Sequence, residues 1–594
     1  MHTLVALFIT LTLYALLTAS VLGWGCVVAG IIGLGDRKKN EAPSHSLRAV
    51  LDKVWLGWCL LLILLQLCHF MMPLEGGVSL AIYGTGLILA LFFLRRDRGI
   101  IPESALGNLR QYGTLTWIGL AVLIGWIALR AMKVPTDFDS GLYHFGSVRW
   151  INEYAIVPGL GNLHNRLAFN CSYFPFVASL NFYPWFGHGS NIALSWLLVL
   201  VMVECWLAGA RVCSAVKREE EMVAADILPA LLVPYLIFVA SVTDLSSPQP
   251  NRASFILRLV VFICLWRNLT AVDKTHLSTS ARMLLVLAVT LVTVKVNNGM
   301  YSATACLIVL VRSWMLADGY SLLSLVRRHG MATALGVVSV GTWVVYGYIT
   351  SGYPLFPSTA LALSADWTVW QGDAHSAMRC IYSWARQPFT DADIVLRDSK
   401  WIFTWTASLV VYGFTSVLLP VVIFLLVGLR FFHVLCRRGY RELPSLHLYA
   451  GLLPLLAGLV FWFKTAPDAR FGEGLFWLLP AAVLSANVFE QTNALARNKA
   501  LITAMLVMSL SLLFNWSTAL QEATMISQTG WQAPPVLSLV EKTTDSGLKL
   551  YIAGTPTQQV WDSPLPGTPY FRKTLQLRGE GLQSGFKTCR EIQY

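Results

Sequence analysis

The sequence predicts an all-α polytopic membrane protein with about 14 transmembrane helices. Hydrophobic residues make up 56% of the 594 residues, whereas charged residues make up only 13%. Mean hydropathy is +0.59. Because about a quarter of the residues of an ordinary soluble domain are charged, this composition excludes the soluble globular class. Long apolar stretches separated by short polar loops then predict the spans one by one.

Each span is predicted from an apolar run that reaches, or nearly reaches, the length needed to cross a bilayer. The first run has no Lys or Arg before it. It lacks the positive start of a signal peptide, so we interpret it as a retained span. In chain order, the predicted spans are 4–34, 54–72, 78–94, 115–132, 192–210, 222–242, 254–266, 283–294, 301–316, 331–349, 403–429, 446–463, 475–488 and 501–516.

Basic residues occur in alternate loops along this series of spans. The positive-inside rule places such loops in the cytoplasm, and it accounts for the formal net charge of +12 without a nucleic-acid partner. The long loops 133–189 and 350–401, the segment 464–474 and the tail therefore fall on the external face. In a bacterial inner membrane that face is the periplasm. The basic clusters lie at 37–48, 95–110, 211–218, 267–282, 327–328, 430–441 and 497–499.

Three parts are predicted along the chain. Residues 1–112 form accessory N-terminal transmembrane helices, residues 113–516 form the transmembrane core with its two long external loops, and residues 517–594 form an external C-terminal extension. The extension is rich in proline and glycine and contains β-prone pieces such as 548–552. Its composition predicts a small ordered unit rather than a further span.

The first group of candidate site residues follows the fourth predicted span. Asp137 and Asp139 are two residues apart, and such a pair can act as a general base or hold a divalent cation such as Mg²⁺ or Mn²⁺. His144 adds a proton-transfer group or a ligand, and Tyr143 beside it is a candidate for substrate binding. The alternative is structural, with Asp139 or Ser140 acting as the N-cap of an interfacial helix.

The second group lies later in the same external loop. His164, Arg166 and Asn170 stand in a glycine-containing stretch, 156–170. Their side chains can bind hydroxyl or phosphate groups, and the glycines permit tight turns. The alternative is a structured interfacial loop with aromatic anchors.

The third group stands between two late spans. Lys464, Asp468, Arg470 and Glu473 place four charges within a short segment beside the membrane. Charges so close to a bilayer usually mark a substrate or ion site, and the planar fork of an arginine suits phosphate. The alternative is an ion pair between Asp468 and Arg470 at the start of a span.

Two further cations lie in or at the edge of apolar runs, and they complete the candidate set. Arg258 lies about one turn inside its predicted span, and Lys295 lies near the external end of another. Both are candidates for substrate binding, with snorkelling to the interface as the alternative. The aromatic loop 351–386 suits sugar stacking, lipid entry or an interfacial aromatic belt. The sequence has no Walker A motif, dinucleotide-binding glycine turn or GxSxG elbow, so no nucleotide cofactor is expected.

The chain resembles the GT-C superfamily of integral-membrane glycosyltransferases in its many spans, its acidic first long external loop and its late arginine. It is also similar to a bacterial multi-spanning family without an assigned function. The shared boxes are DSGLYH at 139–144, PGLGNLHNRLAFN at 158–170, SGYPLFPS at 351–358 and APDARF at 466–471. Relatives carry cysteines around the C-terminal box at the positions of Val560 and Gly567, so no local disulfide is expected here.

The resemblance to GT-C enzymes implies a GT-C-like core and a chemistry. The donor would be a sugar on a polyprenyl phosphate, and the acceptor an envelope glycan, lipid or protein at the periplasmic face. Asp139 would be the general base, with Asp137 as helper or metal ligand. Arg470 would hold the donor phosphate, assisted by Lys295 or His144. The alternatives are an O-antigen polymerase or ligase that joins lipid-linked glycans, and a transporter or lipid flippase.

Overall fold

The computed structural model describes residues 2–34, 46–96, 112–315, 322–438, 446–491, 493–513, 530–554 and 557–588. Helices dominate these ranges, and short strands occur in the C-terminal extension. The helices are α1 His2–Ile31, α2 Ser46–His69, α3 Gly76–Arg96, α4 Thr114–Arg130, α5 Phe145–Glu153, α6 Leu160–Leu163, α7 Tyr173–Leu180, α8 Gly189–Arg218, α9 Ala224–Val242, α10 Pro250–Thr270, α11 Lys274–Val294, α12 Gly299–Met315, α13 Leu322–Ser351, α14 Gln371–Arg386, α15 Ala392–Val395, α16 Trp401–Tyr412, α17 Leu419–Arg438, α18 Leu452–Thr465, α19 Ala469–Phe489 and α20 Ala494–Leu513.

Ten helices in the described ranges are long and apolar enough to cross a membrane. They are α1, α2, α3, α8, α9, α10, α11, α13, α19 and the span His447–Thr465, in which a 3-10 turn precedes α18. A pair formed by α16 and α17, bent by 97° where they join, would make an eleventh span. The run 115–132 forms α4, which has only 17 residues. The runs 301–316 and 501–516 form α12 and α20 as far as the structure describes them, and residues 316 and 514–516 lie outside the described ranges. The polytopic helical class is therefore confirmed, whereas the count of 14 stays a prediction.

The N-terminal helices α1, α2 and α3 pack through glycines at very close range. A Cβ atom on Gly23 would lie 1.9 Å from the carbonyl oxygen of Gly86, and one on Gly57 would lie 1.9 Å from that of Val21. Small residues allow such close helix contacts inside a membrane. The hydroxyl of Tyr14 donates to Ser195 Oγ at 2.6 Å, which joins α1 to α8 in the main bundle.

Helices α9, α10, α11 and α19 position the candidate site, because their neighbouring ends carry its loops. Apart from buried polar side chains such as Arg258 and Glu473, their interior is apolar and aromatic, with the rings of Tyr235 and Trp477 stacked at 4.9 Å. Burial of this aromatic contact fixes α9 against α19. The turns 243–249, 295–298 and 466–468 therefore come together at one end of the bundle.

The opposite end of the same helices holds a buried network of charges. Asp226 accepts from Arg211 at 2.7 and 2.9 Å and also from Arg48. Arg267 donates to Asp52 at 2.8 Å and also to Glu204. A cavity of about 280 Å³ lies beside Arg48, Asp52 and Arg267. These opposite charges let α2, α8, α9 and α10 pack with ionised groups between them.

The C-terminal extension is a small β unit. Its strands are β1 Leu539–Thr543, β2 Lys549–Ala553, β3 Gly567–Thr568, β4 Leu575–Leu577 and β5 Phe586–Thr588. The first sheet has the order β1-β2-β3, antiparallel between β1 and β2 and parallel between β2 and β3, and β4 pairs antiparallel with β5. Strand β2 confirms the β-prone piece predicted at 548–552.

Candidate functional site

Three charged residues from three separate sequence motifs lie close together: Asp139, Arg166 and Arg470. Arg166 Nη1 donates to Asp139 Oδ1 at 2.8 Å. Arg470 Nη1 lies 3.9 Å from Asp139 Oδ2. The first two residues belong to the long loop after α4, and the third belongs to the first turn of α19. The loop carboxylate and the late arginine that the sequence singled out are thus neighbours in space.

Asp137 has a different role from Asp139, because it organises the loop. Its Oδ2 accepts from the backbone N–H of Ser140 at 3.0 Å and from the hydroxyl of Ser140 at 2.8 Å. Its own N–H donates to Asp244 Oδ2 at 3.0 Å. Burial raises the pKa of Asp137, and the nearby charge of Asp139 raises it further. The structural alternative is corrected in one detail: the side chain of Asp137, not that of Asp139 or Ser140, caps the turn.

His144 is buried with only 1% of its surface exposed. Its Nδ1 lies 3.0 Å from Ser140 Oγ and 3.6 Å from Asp137 Oδ2. Burial lowers its pKa to about 3, so the ring is neutral at physiological pH. Tyr143 beside it lies under the guanidinium of Arg166, 5.8 Å from the ring centroid. In this arrangement His144 anchors the loop, and Tyr143 supports Arg166.

Arg470 is held at the start of α19 by Asp468. Asp468 Oδ1 accepts from the N–H of Arg470 at 2.9 Å and caps the helix, while Oδ2 accepts from Arg470 Nη2 at 2.8 Å. The ion pair predicted as the alternative therefore forms. The side chain of Arg470 is nevertheless 49% exposed, and an arginine has five N–H donors to share. It can hold Asp468 and still bind a second anion.

Tryptophan donors hold the turn before Arg470 in place. Trp405 Nε1 donates to the carbonyl of Pro467 at 2.6 Å, and Trp462 Nε1 donates to the carbonyl of Asp468 at 2.8 Å. Lys464 itself is exposed on this side, and its carbonyl accepts from Arg386 at 2.8 Å. The tryptophans of α16 and α18 thus position the phosphate-binding candidate.

Lys295 reaches the same cluster. Its ammonium donates to Asn251 Oδ1 and lies 3.9 Å from the centroid of the Phe471 ring. Burial, with the neighbouring charge of Arg470, lowers the pKa of Lys295 to about 7. A cation over an aromatic face is attracted by the ring quadrupole. Because Phe471 follows Arg470 in the chain, this contact places Lys295 beside the residue next to Arg470.

Arg258 is a buried positioning residue and does not snorkel. Its Nε and Nη2 donate to Asn298 Oδ1 at 2.9 and 2.6 Å. Its Nη1 donates to the carbonyl of Phe471 at 3.3 Å. It therefore ties the turn after Lys295 to the first turn of α19.

His164 and Asn170 position the loop around Arg166. The ring of His164 packs edge-on against Tyr570 of the extension, with centroids 5.4 Å apart. Burial, followed by the charges of Arg166 and Arg572, holds its pKa well below the ordinary value. Asn170 exchanges hydrogen bonds with Trp343 of α13 through its amide and its carbonyl. The structure brings Arg166 to Asp139, while Asn170 fastens the loop to the bundle.

Sequence reasoning missed the connection between α9 and α10. Asp244 binds the backbone of Thr136 and Asp137, and Arg252 Nη1 donates to the buried Glu473 at 2.7 Å. The overlooked signal is the polar stretch 243–252, which stands between two apolar runs on the predicted external side. Charge beside the membrane is the criterion that selected 464–474, and the same criterion selects this stretch.

Asp137 and Asp139 are the predicted ligands of a divalent cation. Within the described ranges, no group of three or more His, Cys, Asp or Glu side chains is placed to hold a metal ion. The two carboxylates bind different partners, since Asp137 accepts from Ser140 and Asp139 from Arg166. The Mg²⁺ or Mn²⁺ cofactor therefore stays a prediction.

One family model matches this chain, and its description is a domain of unknown function. The match covers residues 6–477, which include the segment from Asp137 to Arg470 and exclude the C-terminal extension. No curated protein matches the chain. No solved structure matches it.

Proposed function

Because the chain belongs to the family described as Domain of unknown function (DUF8201), we propose its function from the chemistry of its site. We propose that it is a GT-C-type membrane glycosyltransferase. It transfers a sugar from a polyprenyl-phosphate-linked donor to a glycan, lipid or protein of the cell envelope. The reaction takes place at the periplasmic face of the bacterial inner membrane.

The observation that carries this proposal is the contact of one carboxylate with two arginines beside the span ends. Asp139 Oδ1 accepts from Arg166. Arg470 lies 3.9 Å from Oδ2, beyond hydrogen-bonding distance. Oδ2 can therefore accept a hydrogen bond from a substrate hydroxyl while Oδ1 stays fixed. A general base needs this reach to the proton that it removes.

The proposed transfer step uses Asp139, Arg470 and Lys295. The acceptor oxygen attacks the anomeric carbon of the donor sugar, and its proton passes to Asp139. The bond between the anomeric carbon and the phosphate oxygen breaks, and its electron pair leaves with the polyprenyl phosphate. In this proposal, Arg470 and Lys295 stabilise the negative charge that develops on the departing polyprenyl phosphate. Fixed positive groups stabilise such a charge without reorganisation.

Two alternatives keep specific support. An O-antigen polymerase or ligase would use the same phosphate-binding arginines, and Arg166 and Arg470 fit it. A transporter or lipid flippase is favoured by the 97° bend between α16 and α17, because broken spans occur at transport sites. The polar groups around Asp139 gather at one end of the bundle, which favours surface chemistry over transport.

The test is product formation by Asp139→Asn in lipid nanodiscs with labelled undecaprenyl-phosphate sugars. Removal of the base should reduce transfer by about 100-fold or more, while the elution profile of the folded protein stays unchanged. Asp562→Asn is the matched control, since this half-exposed carboxylate of the extension pairs with Arg149 of α5. Normal transfer by Asp139→Asn would remove Asp139 as the base. Lipid translocation without product in proteoliposomes would favour the flippase.

A further inference from the structure

The C-terminal extension is seated directly on the loop that carries Asp139. The carbonyl of Gly141 accepts from the N–H groups of Val560 and Trp561, both at 2.8 Å. A Cβ atom on Gly141 would lie 2.6 Å from the indole of Trp561. Glycine is therefore required at this position of the DSGLYH box for the extension to approach so closely.

A second contact fixes the extension to the PGLGNLH box. The N–H of Phe586 donates to the carbonyl of Pro158 at 3.0 Å. A Cβ atom on Gly159 would lie 2.2 Å from the carbonyl oxygen of Phe586, and Gly159 has a φ of +64°. Behind these contacts, Trp150 and Phe586 pack in a small buried apolar cluster with strands β2 and β4.

The extension also binds the second long external loop. Arg572 Nη1 donates to Asp373 at 2.6 Å, and Arg578 donates to Asp366 at 3.0 Å. The guanidinium of Arg578 lies 4.6 Å from the centroid of a ring of Trp367. The extension thus bridges the two long loops 133–189 and 350–401.

Two exposed side chains of the extension stand where these parts meet. The Tyr570 hydroxyl donates to Gln558 Oε1 at 3.3 Å, and the other edge of Tyr570 contacts His164. Partial burial raises the pKa of the Tyr570 hydroxyl, and the charges of Arg166 and Asp139 also act on it. Gln558 has a φ of +57°, a conformation that costs free energy for a residue other than glycine. The fold therefore presents an amide and a phenol beside His164, on the loop that also carries Arg166, at some cost.

We propose that Tyr570 and Gln558 form the binding subsite for the acceptor, and that the acceptor group bound there is a saccharide. This inference rests on the proposed function. A tyrosine offers an apolar ring face and a polar hydroxyl, and an amide both donates and accepts. Those are the groups that the C–H face and the hydroxyls of a sugar require.

The subsite positions the acceptor and takes no part in proton transfer or bond breaking. A saccharide bound across the exposed sides of Gln558 and Tyr570 would lie beside the loop that carries His164 and Arg166, and Arg166 holds Asp139. Its attacking hydroxyl would enter from the extension side, while the lipid phosphate enters at Arg470 from the membrane side. Donor and acceptor would therefore meet at Asp139 from opposite directions.

The test uses the full chain in nanodiscs and two kinds of probe. Saturation-transfer NMR measures binding of methyl glycosides of glucose, galactose and N-acetylglucosamine and of their short oligomers. Undecaprenyl phosphate reports on the donor side. We expect Tyr570→Ala and Gln558→Ala to weaken saccharide binding about 10-fold, the effect of losing one or two hydrogen bonds. Undecaprenyl phosphate should bind as before.

Phe571→Ala is the matched control, because Phe571 is the neighbouring exposed aromatic residue and faces Lys542 instead. Tyr570→Phe keeps the ring against His164 and should give an intermediate loss. Saccharide binding that is unchanged in Tyr570→Ala and Gln558→Ala would overturn the subsite, as would absence of saccharide binding by the intact protein.

The outcomes separate this inference from the proposed function. Saccharide binding through Tyr570 without any sugar transfer would support the subsite and reject the transferase. In a transferase, Tyr570→Ala should raise the KM for the acceptor with little change in kcat. Transfer with an unchanged acceptor KM in Tyr570→Ala would support the transferase and reject the subsite.

Discussion

Residues in the candidate site have divided roles that their spacing along the chain does not reveal. Asp137 and Asp139 are neighbours in sequence, yet the first binds Ser140 and the second binds Arg166. Arg470 donates to Asp468 through Nε and Nη2. Its Nη1 lies near Asp139. One guanidinium therefore binds the helix-capping carboxylate of Asp468 and also approaches Asp139.

Lys295 provides a pH-dependent prediction at the residue scale. Its pKa of about 7 means that it is charged below that pH and neutral above it. Binding of undecaprenyl phosphate should therefore weaken as the pH rises from 6 to 8, because a cation beside Arg470 is lost. Lys295→Arg stays charged throughout and should bind equally across this range. Affinities measured in nanodiscs at several pH values give the comparison, and a wild-type profile parallel to that of Lys295→Arg would contradict it.

At the scale of elements, the glycines of the sequence boxes serve the docking of the extension. Gly141→Ala should push Trp561 outward and loosen the extension, because the new methyl group would lie within 3 Å of the indole. Faster proteolysis in 530–588 would reveal the loosening. Gly146→Ala is the control, since its Cβ would meet only Leu167, at 4.0 Å. Equal protease resistance of both variants would show that the Gly141 contact is dispensable.

The buried charges at the other end of the bundle give a second prediction for elements. Asp226→Ala leaves Arg48 and Arg211 without their shared carboxylate, and breaking a buried pair costs about 3–5 kcal/mol. The thermal unfolding midpoint in detergent should fall by several degrees. Glu220→Ala, which removes an exposed carboxylate 4.0 Å from Arg218, should leave the midpoint nearly unchanged. A similar small effect for both would mean that the network contributes little.

For the whole molecule, sidedness is testable with Cys213 and Cys380, the two exposed cysteines among those whose side chains the structure describes. Cys213 lies on α8 near the basic end, and Cys380 lies on α14 in the loop 350–401. With the proposed orientation, a membrane-impermeant maleimide should label Cys380 in intact spheroplasts and Cys213 only after permeabilisation. Cys213→Ser and Cys380→Ser identify each signal. The reverse pattern would place the Asp139 cluster in the cytoplasm.

The helical membrane class was predictable because apolar length is a local property of sequence. Within the described ranges, each predicted run coincides with helical segments. Helix α4 has only 17 residues, and hydropathy alone does not decide whether such a helix spans. The residues of the candidate site could be predicted from the sequence, but their contacts with one another could not. Asp139 and Arg470 lie more than 300 residues apart in the sequence, and only helix packing brings them together. The bond between Asp244 and the Asp137 loop was missed for the same reason.

The docking of the extension has a consequence for biosynthesis. The segments that press on Gly141 and Pro158 follow the last helix, so the ribosome makes them after every span has been threaded into the membrane. Until then the carbonyls of Gly141 and Pro158 lack the N–H partners that the extension supplies. A nascent chain can therefore settle in the bilayer before the extension docks, and under the proposed function a truncated product would insert normally yet transfer no sugar.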